Sequence, residues 1–163
     1  MADARFTDVV LKRDADGIYD LALDGPTSDL ATTQGYETAL MCSLFSDRRA
    51  AADEVGDPFK RRGWIGNLVA DTPGDNYGSG LWLYEQRRGT QEVCTALAQE
   101  ARTSLSWMID ESLVSTVSPT FTYDPAKRRM VLNIVESAIQ GGVLRRTFEI
   151  WDATARGLLA TNT

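Results

Sequence analysis

Between residues 91 and 151 the hydrophobic period of the chain changes once, and that change limits the possible folds more than any other feature. Val93, Leu97, Ala101, Leu105 and Ile109 recur at intervals of four, flanked by Cys94, Ala98 and Met108, while Glu92, Gln99, Glu100 and Arg102 fall mostly outside the stripe. Such spacing is one face of an amphipathic helix turned toward a core. Thr90 stands before it with a capping hydroxyl, which predicts one long helix from about Gln91 to Leu113. From Val114 the pattern alternates instead. Val117, Thr120 and Phe121 are interrupted by Pro119, which confines that strand to an edge or places a bulge in it. Asp124-Pro125-Ala126-Lys127 has turn chemistry. The next strand puts Met130, Leu132 and Ile134 on one face and Val131, Asn133 and Val135 on the other. Gln140-Gly141-Gly142 turns the chain into a last strand, Leu144 to Trp151. A helix followed by a three-stranded antiparallel meander over residues 114–152 is an α+β arrangement.

The amino-terminal part adds smaller pieces. Phe6 to Lys12 and Ile18 to Leu23 are β-prone runs separated by Asp14-Ala15-Asp16-Gly17, which predicts a hairpin within residues 1–34. Thr32-Thr33-Gln34-Gly35 offers hydroxyl caps to a short helix with Tyr36, Leu40 and Leu44 on its apolar stripe and Ala39 beside it, ending near Asp47. Residues 50–80 lose periodicity, being rich in Gly, Pro, Asp and Asn but carrying Phe59, Trp64, Ile65, Leu68 and Val69. A segment of this length with embedded aromatics reads as an irregular interaction arm. Gly80-Leu81-Trp82-Leu83-Tyr84 is a compact apolar run, and Ala155 to Thr163 is weakly patterned. At 163 residues, 43% of them hydrophobic, one domain can bury its core without metal or disulfide staples.

Charge and residue usage remove many function classes. The net charge of -6 argues against binding a nucleic-acid backbone. No segment has the length and apolarity to span a membrane, and the amino terminus lacks a signal peptide's pattern. The absence of histidine removes imidazole-dependent triads, the commonest general base and the commonest metal ligand. Cys42 and Cys94 stand in apolar helical patterns without a CxxC, which predicts buried thiols rather than a metal site. Asp53, Glu54 and Asp57 lack calcium-loop spacing and suit a solvated helix end. The glycine-rich stretch from Asp71 to Gly80 has no lysine in phosphate-cradling position. No specific carboxylate pair suggests a glycosidase. The expectation is a protein without catalysis, cofactor or metal.

Arginine is the exception to this blandness. It is doubled at Arg48-Arg49, Arg61-Arg62, Arg87-Arg88, Arg128-Arg129 and Arg145-Arg146, in a chain with three lysines. The planar guanidinium fork suits multidentate pairing at protein interfaces, where Arg, Trp and Tyr are enriched. Candidate interface residues are Asp47, Arg48, Arg49, Arg61, Arg62, Trp64, Arg87 and Arg88, with Asp47 capping or pairing locally. Asp110 and Glu111 join them, since they oppose the helix dipole unless a cation pairs with them. The last two doublets read equally well as ordinary loop or strand-edge charges.

Gly35-Tyr36-Glu37-Thr38-Ala39-Leu40, Ser43-Leu44-Phe45-Ser46-Asp47-Arg48-Arg49-Ala50 and Arg61-Arg62-Gly63-Trp64 resemble the gene-46 product family of Mu-like phages, which are tail baseplate components. More remotely, the order of elements is similar to the lysozyme-like baseplate wedge proteins typified by the gene 25 product of phage T4, sheath initiators without lysozyme activity. Leu81-Trp82-Leu83 and the helix to Trp107-Met108-Ile109-Asp110 extend the likeness loosely, and the meander matches in type. Two departures stand out: the wedge family's Glu-Pro-Arg anchor is replaced by Ile109-Asp110-Glu111-Ser112-Leu113-Val114, and Ser46 replaces a customary Thr.

The resemblance implies a virion component of a contractile tail, a wedge subunit or sheath initiator joining the baseplate core to the first sheath ring. Its partners would be other wedge proteins, the sheath protein and the tail hub or tube, with several copies per particle and neither nucleic acid nor membrane bound. It would assemble in host cytoplasm and end in the tail baseplate. Two other readings stand beside it: a peptidoglycan-degrading, lysozyme-like baseplate enzyme, and an assembly adaptor absent from the mature particle.

Overall fold

The computed structural model describes residues 7–13, 18–25, 30–34, 36–68, 77–85, 87–127, 129–139, 142–151 and 158–159. The chain is α+β and divides into two compact units, Met1–Cys42 and Ser43–Thr163.

In the first unit, strands β1 (Thr7–Val9) and β2 (Leu11–Arg13) are separated by Val10. β2 pairs antiparallel with β3 (Tyr19–Leu21), Leu11 opposite Leu21, which is the expected hairpin; its turn residues 14–17 lie outside the described residues. One expectation is corrected here. Thr32–Gln34 is a strand, β4, paired with β1 so that Val9 faces Thr32, and it does not cap the helix. β-branched neighbours satisfy their backbone groups well in a ladder, and the pairing with β1 outweighs the capping tendency of the hydroxyls. The cap comes from far away in sequence. Helix α1 (Glu37–Phe45) begins with the amides of Thr38 and Ala39 donating to Asp8 Oδ2 at 2.7 and 3.1 Å, while the Thr38 hydroxyl donates to the Val9 carbonyl. One carboxylate thus takes two of the orphan donors of the first turn and complements the helix dipole. Asp8→Ala is therefore expected to cost about 1 kcal/mol and Asp8→Asn less, read by denaturant unfolding monitored through helical circular dichroism.

The second unit is built on an antiparallel sheet ordered β5 (Val114–Asp124), β6 (Arg129–Ala138), β7 (Val143–Trp151) and β8 (Leu158–Leu159). The expected meander is present, and the two-residue β8 adds a fourth strand against Glu149 and Ile150. Pro119 stands on the edge strand, opposite Ile134, the kind of position where a residue without an N–H is tolerated in a sheet. A register shift between Val114 and Thr116 bulges the start of β5. Asp124 Oδ1 accepts from the amides of Ala126 and Lys127 and fixes the β5–β6 turn.

One face of the sheet is covered. Val117, Pro119 and Phe121 of β5, Met130, Leu132 and Ile134 of β6, and Phe148 of β7 are buried there, and Phe45 from the end of α1 meets Phe148 edge-on at 5.6 Å. α2 (Gln91–Ser104) packs along β5, capped as expected by the Thr90 hydroxyl, which accepts from the Val93 amide. The predicted single helix to Leu113 is broken. Thr103 and Ser104 turn their hydroxyls back onto the carbonyls of Gln99 and Ala101, and after Leu105 and Ser106 a separate turn, α3 (Trp107–Asp110), begins. The break rotates the stripe. Cys94, Leu97, Ala101, Leu105 and Met108 are buried, whereas Val93 is half-buried and Ile109 exposed, contrary to the expected set. Burial pushes the Cys94 thiol upward, toward an inert protonated side chain. α3 stops at Ser112, held at φ 57°.

Sequence alternation continues the apolar row of β6 into Glu136, which is fully buried. Arg146 from β7 reaches across to it, Nε to Oε1 at 3.0 Å. Arg146 is thus no strand-edge charge, unlike the exposed Arg145 beside it, and Arg128 lies outside the described residues. Among the described residues no helix is long and apolar enough to cross a membrane.

Candidate functional site

The segment after α1 has little regular structure, yet its described part is tied together by arginine side chains. It begins with backbone. Ser79 accepts from the Arg48 amide and donates to the Ser46 carbonyl, the Trp64 amide donates to the Asp47 carbonyl, and the Ala50 amide donates to the Arg61 carbonyl. These bonds bring residues 47–50, 61–64 and 79 side by side. Gly63 makes the approach possible: its φ is +113°, and a Cβ there would stand 2.7 Å from the Arg49 Cβ. Arg62 before it is also left-handed, at φ 42°.

Arg48 is the centre of the arrangement. Its two terminal nitrogens grip Glu54 as a fork at 2.8 and 2.7 Å, and Nη2 also reaches Glu100 on α2 at 3.3 Å. The side chains of Arg48, Glu54 and Glu100 are 21%, 30% and 23% exposed, a partly desolvated triad. The Arg48 carbonyl accepts from Trp82 Nε1 at 2.9 Å. Glu54 reaches back to the Ala51 amide as well, closing a single turn. Hydrogen bonds from Arg48, with help from that amide, bring the Glu54 carboxyl down to about 2 against the opposing effect of burial. The same bonds hold Arg48 above its ordinary value.

Arg62 repeats the theme nearer to solvent. It pairs with Asp47 at 3.2 Å and Glu85 at 3.1 Å, and its guanidinium lies 4.8 Å from the centre of the Trp82 ring. Glu85 is the main cause that shifts Arg62 upward. The other member of each doublet behaves differently. Arg49 donates to the carbonyls of Arg62 and Pro58, and Arg61 donates to those of Val55 and Gly56. Neither has a carboxylate partner among the described residues, so both keep their charge while serving as struts.

The aromatic residues divide in the same way. Trp64 leans on Tyr77 with ring centres 5.0 Å apart, and the Asn67 side chain both donates to the Tyr77 carbonyl and accepts from its amide. Phe59, in a 3-10 turn at Pro58–Lys60, is 97% exposed. Residues 69–76, including Val69 of the expected arm, lie outside the described residues.

The structure thus brings together Asp47, Arg48, Arg49, Arg61, Arg62 and Trp64. Arg87 stands apart, over the Tyr84 ring at 5.0 Å just after the 3-10 turn Leu81–Tyr84, and Arg88 is exposed. Asp110 and Glu111 are exposed at the end of α3 and have no cationic partner among the described residues. Sequence reasoning missed Glu54, Glu85, Glu100 and Trp82, the groups that receive the arginines. Only Glu54 left a local trace, its reach back to Ala51. Among the described residues no group of histidine, cysteine or carboxylate side chains could hold a metal ion.

A family model described as Phage protein GP46 matches residues 36–142, from the start of α1 to the residue before β7. The chain belongs to the phage protein GP46 family. The match contains every arginine of the clamp and every carboxylate that receives one, whereas β1–β4 and β7–β8 lie outside it. No curated protein matches the chain.

Proposed function

We propose that this phage protein is a non-catalytic structural subunit of a contractile-tail baseplate, a wedge component or sheath initiator that joins the baseplate core to the first sheath ring. The family match over residues 36–142 carries the phage assignment, and the whole clamp falls inside it. The likeness of Gly35 to Trp64 to Mu-like baseplate proteins supports the finer role. Physical chemistry supports an assembly part too. A loop braced by internal ion pairs can present Arg49, Arg61, Trp64 and Phe59 with little ordering cost on docking. Arg87, Arg88, Asp110 and Glu111 are exposed and complete the contact set toward neighbouring wedge proteins. Among the described residues β8 covers only Glu149 and Ile150 of β7, which leaves backbone groups from Val143 to Phe148 for a strand contributed by the sheath.

Mass spectrometry of purified particles, with immunogold labelling, provides the test. The chain is expected in mature tails, at the end carrying the baseplate, in several copies. Absence from particles would identify an assembly adaptor instead. Peptidoglycan release by the purified protein, abolished by a Glu→Gln change, would overturn the non-catalytic part of the reading.

A further inference from the structure

Glu136 is fully buried in the covered face of the sheet, in line with Met130, Leu132 and Ile134. Arg146, its side chain 17% exposed, reaches it from β7 with Nε 3.0 Å from Oε1. The two do not stand opposite one another. Glu136 faces Leu144 and Arg146 faces Ile134, so the pair runs diagonally across the ladder, a span of about 7–8 Å that long side chains can cover. A carboxylate taken this far from water is a weak source of net stability, because desolvation offsets much of the attraction to its partner. Its place in the ladder gives it another use.

The apolar pattern of β6 and β7 has a period of two. Moving β7 by one residue would turn the buried Phe148 to the open face, whereas moving it by two keeps every side chain on its present face. In the slip that sets Leu144 opposite Ile134, Phe148 meets Met130 and Val143 meets Val135, apolar groups still against apolar ones. On the open face Arg145 replaces Thr147 opposite Asn133, whose side-chain oxygen now accepts from the Thr147 hydroxyl at 2.9 Å; one donor takes the place of another. Arg129 to Ser137 all keep partners, Ser137 then facing Gly141 around a loop of equal length, and only Ile150 and Trp151 leave the ladder. Arg146 is the exception. It would stand opposite the fully buried Leu132, about 14 Å along β6 from Glu136. The opposite slip, with Phe148 against Ile134, sets Arg146 directly across from Glu136, and the pair does not oppose it.

We propose that the Glu136–Arg146 pair selects the register of β7, excluding the slip that would bury Arg146 against Leu132. β8 pairs with Glu149 and Ile150, so the same choice fixes where β8 adds to the sheet. The inference does not rest on the baseplate reading.

The test compares the purified full chain with Glu136→Leu/Arg146→Leu, which replaces the pair by apolar groups, using urea unfolding and cross-strand nuclear Overhauser contacts. Asn133 reports the register: it faces Thr147 in the wild type, Arg145 in the excluded slip and Glu149 in the opposite one. The double variant is expected to unfold at a urea midpoint no lower than that of Glu136→Leu alone, which leaves Arg146 without this carboxylate. It should also show a second set of signals with Asn133–Arg145 contacts, rising from below about 1% of molecules to on the order of 10%, a gain of roughly tenfold. Glu136→Arg with Arg146→Glu, which restores a pair on the same diagonal, should return the protein to the single wild-type register. The inference is overturned by a double variant with Asn133–Thr147 contacts alone, by one whose second register is Asn133–Glu149, or by one that unfolds below the single variant, which would make the pair a source of stability instead. None of these results bears on the particle-localisation experiment.

Discussion

Arg48→Ala is expected to destabilise the 43–163 unit by about 2 kcal/mol and to expose residues 50–62 to proteases, between the small worth of a surface pair and the larger cost of breaking a buried one. The substitution removes a fork with bonds of 2.7 and 2.8 Å to Glu54 and a 3.3 Å contact to Glu100, and it leaves those two partly buried carboxylates without their shared cation. Lysine at the same position should recover only part of the loss, because a point charge cannot reproduce the fork. Urea unfolding and limited trypsin digestion measure both effects; identical midpoints and digestion patterns would refute the clamp. Acid provides a second reading. Glu54 is depressed from 4.5 to about 2, so its contribution is present above the ordinary value and is lost as pH falls through the lower one. The stability gap between wild type and Arg48→Ala should therefore be constant from neutrality down to about pH 5 and close progressively between 4.5 and 2.

Phe148→Ala should be costlier, about 4 kcal/mol, which corresponds to a melting temperature lower by roughly 10–20 °C. Phe148 is 1% exposed, stands opposite the fully buried Leu132 on β6, and receives the edge of Phe45 from α1. An alanine there empties the middle of the core, and the ladder to β6 limits collapse into the void. Phe148→Leu keeps most of the volume and should cost about 1.5 kcal/mol or less. Calorimetry separates the two; a Phe148→Ala protein that melts with the wild type would place the core elsewhere.

The parts of this fold that could be read from residues are those governed by near neighbours. Alternation placed Met130, Leu132 and Ile134 on one face, Pro119 marked an edge, and the Thr90 hydroxyl began a helix, all as found. Errors arose where a distant group changed a local preference. Thr32–Gln34 looked like a cap until β1 offered it a ladder, and Asp8, twenty-nine residues before the helix, took the capping role instead. Ile109 fitted the spacing of one unbroken helix. Back-bonding by Thr103 and Ser104 turned Met108 inward in its place.

The arginines draw the same division at the level of function. Composition marked the doublets as needing acceptors, since a guanidinium keeps its charge and five donors in any fold. Adjacent arginines in an irregular segment point in different directions, and the acceptor each one meets depends on chain brought back from elsewhere. Glu100 lies on α2 and Glu85 follows the turn Leu81–Tyr84, so no local pattern linked them to Arg48 and Arg62. What residue type alone settled was that this phage protein carries cations requiring partners and no histidine with which to do imidazole chemistry. Folding assigned the partners: it paired Arg48 and Arg62 with carboxylates within the chain, set Arg49 and Arg61 on carbonyl acceptors, and exposed Phe59 on the turn whose Pro58 carbonyl Arg49 holds. Long-range contacts make those choices, because electrostatic pairing depends on distance in space and sequence neighbours do not supply it.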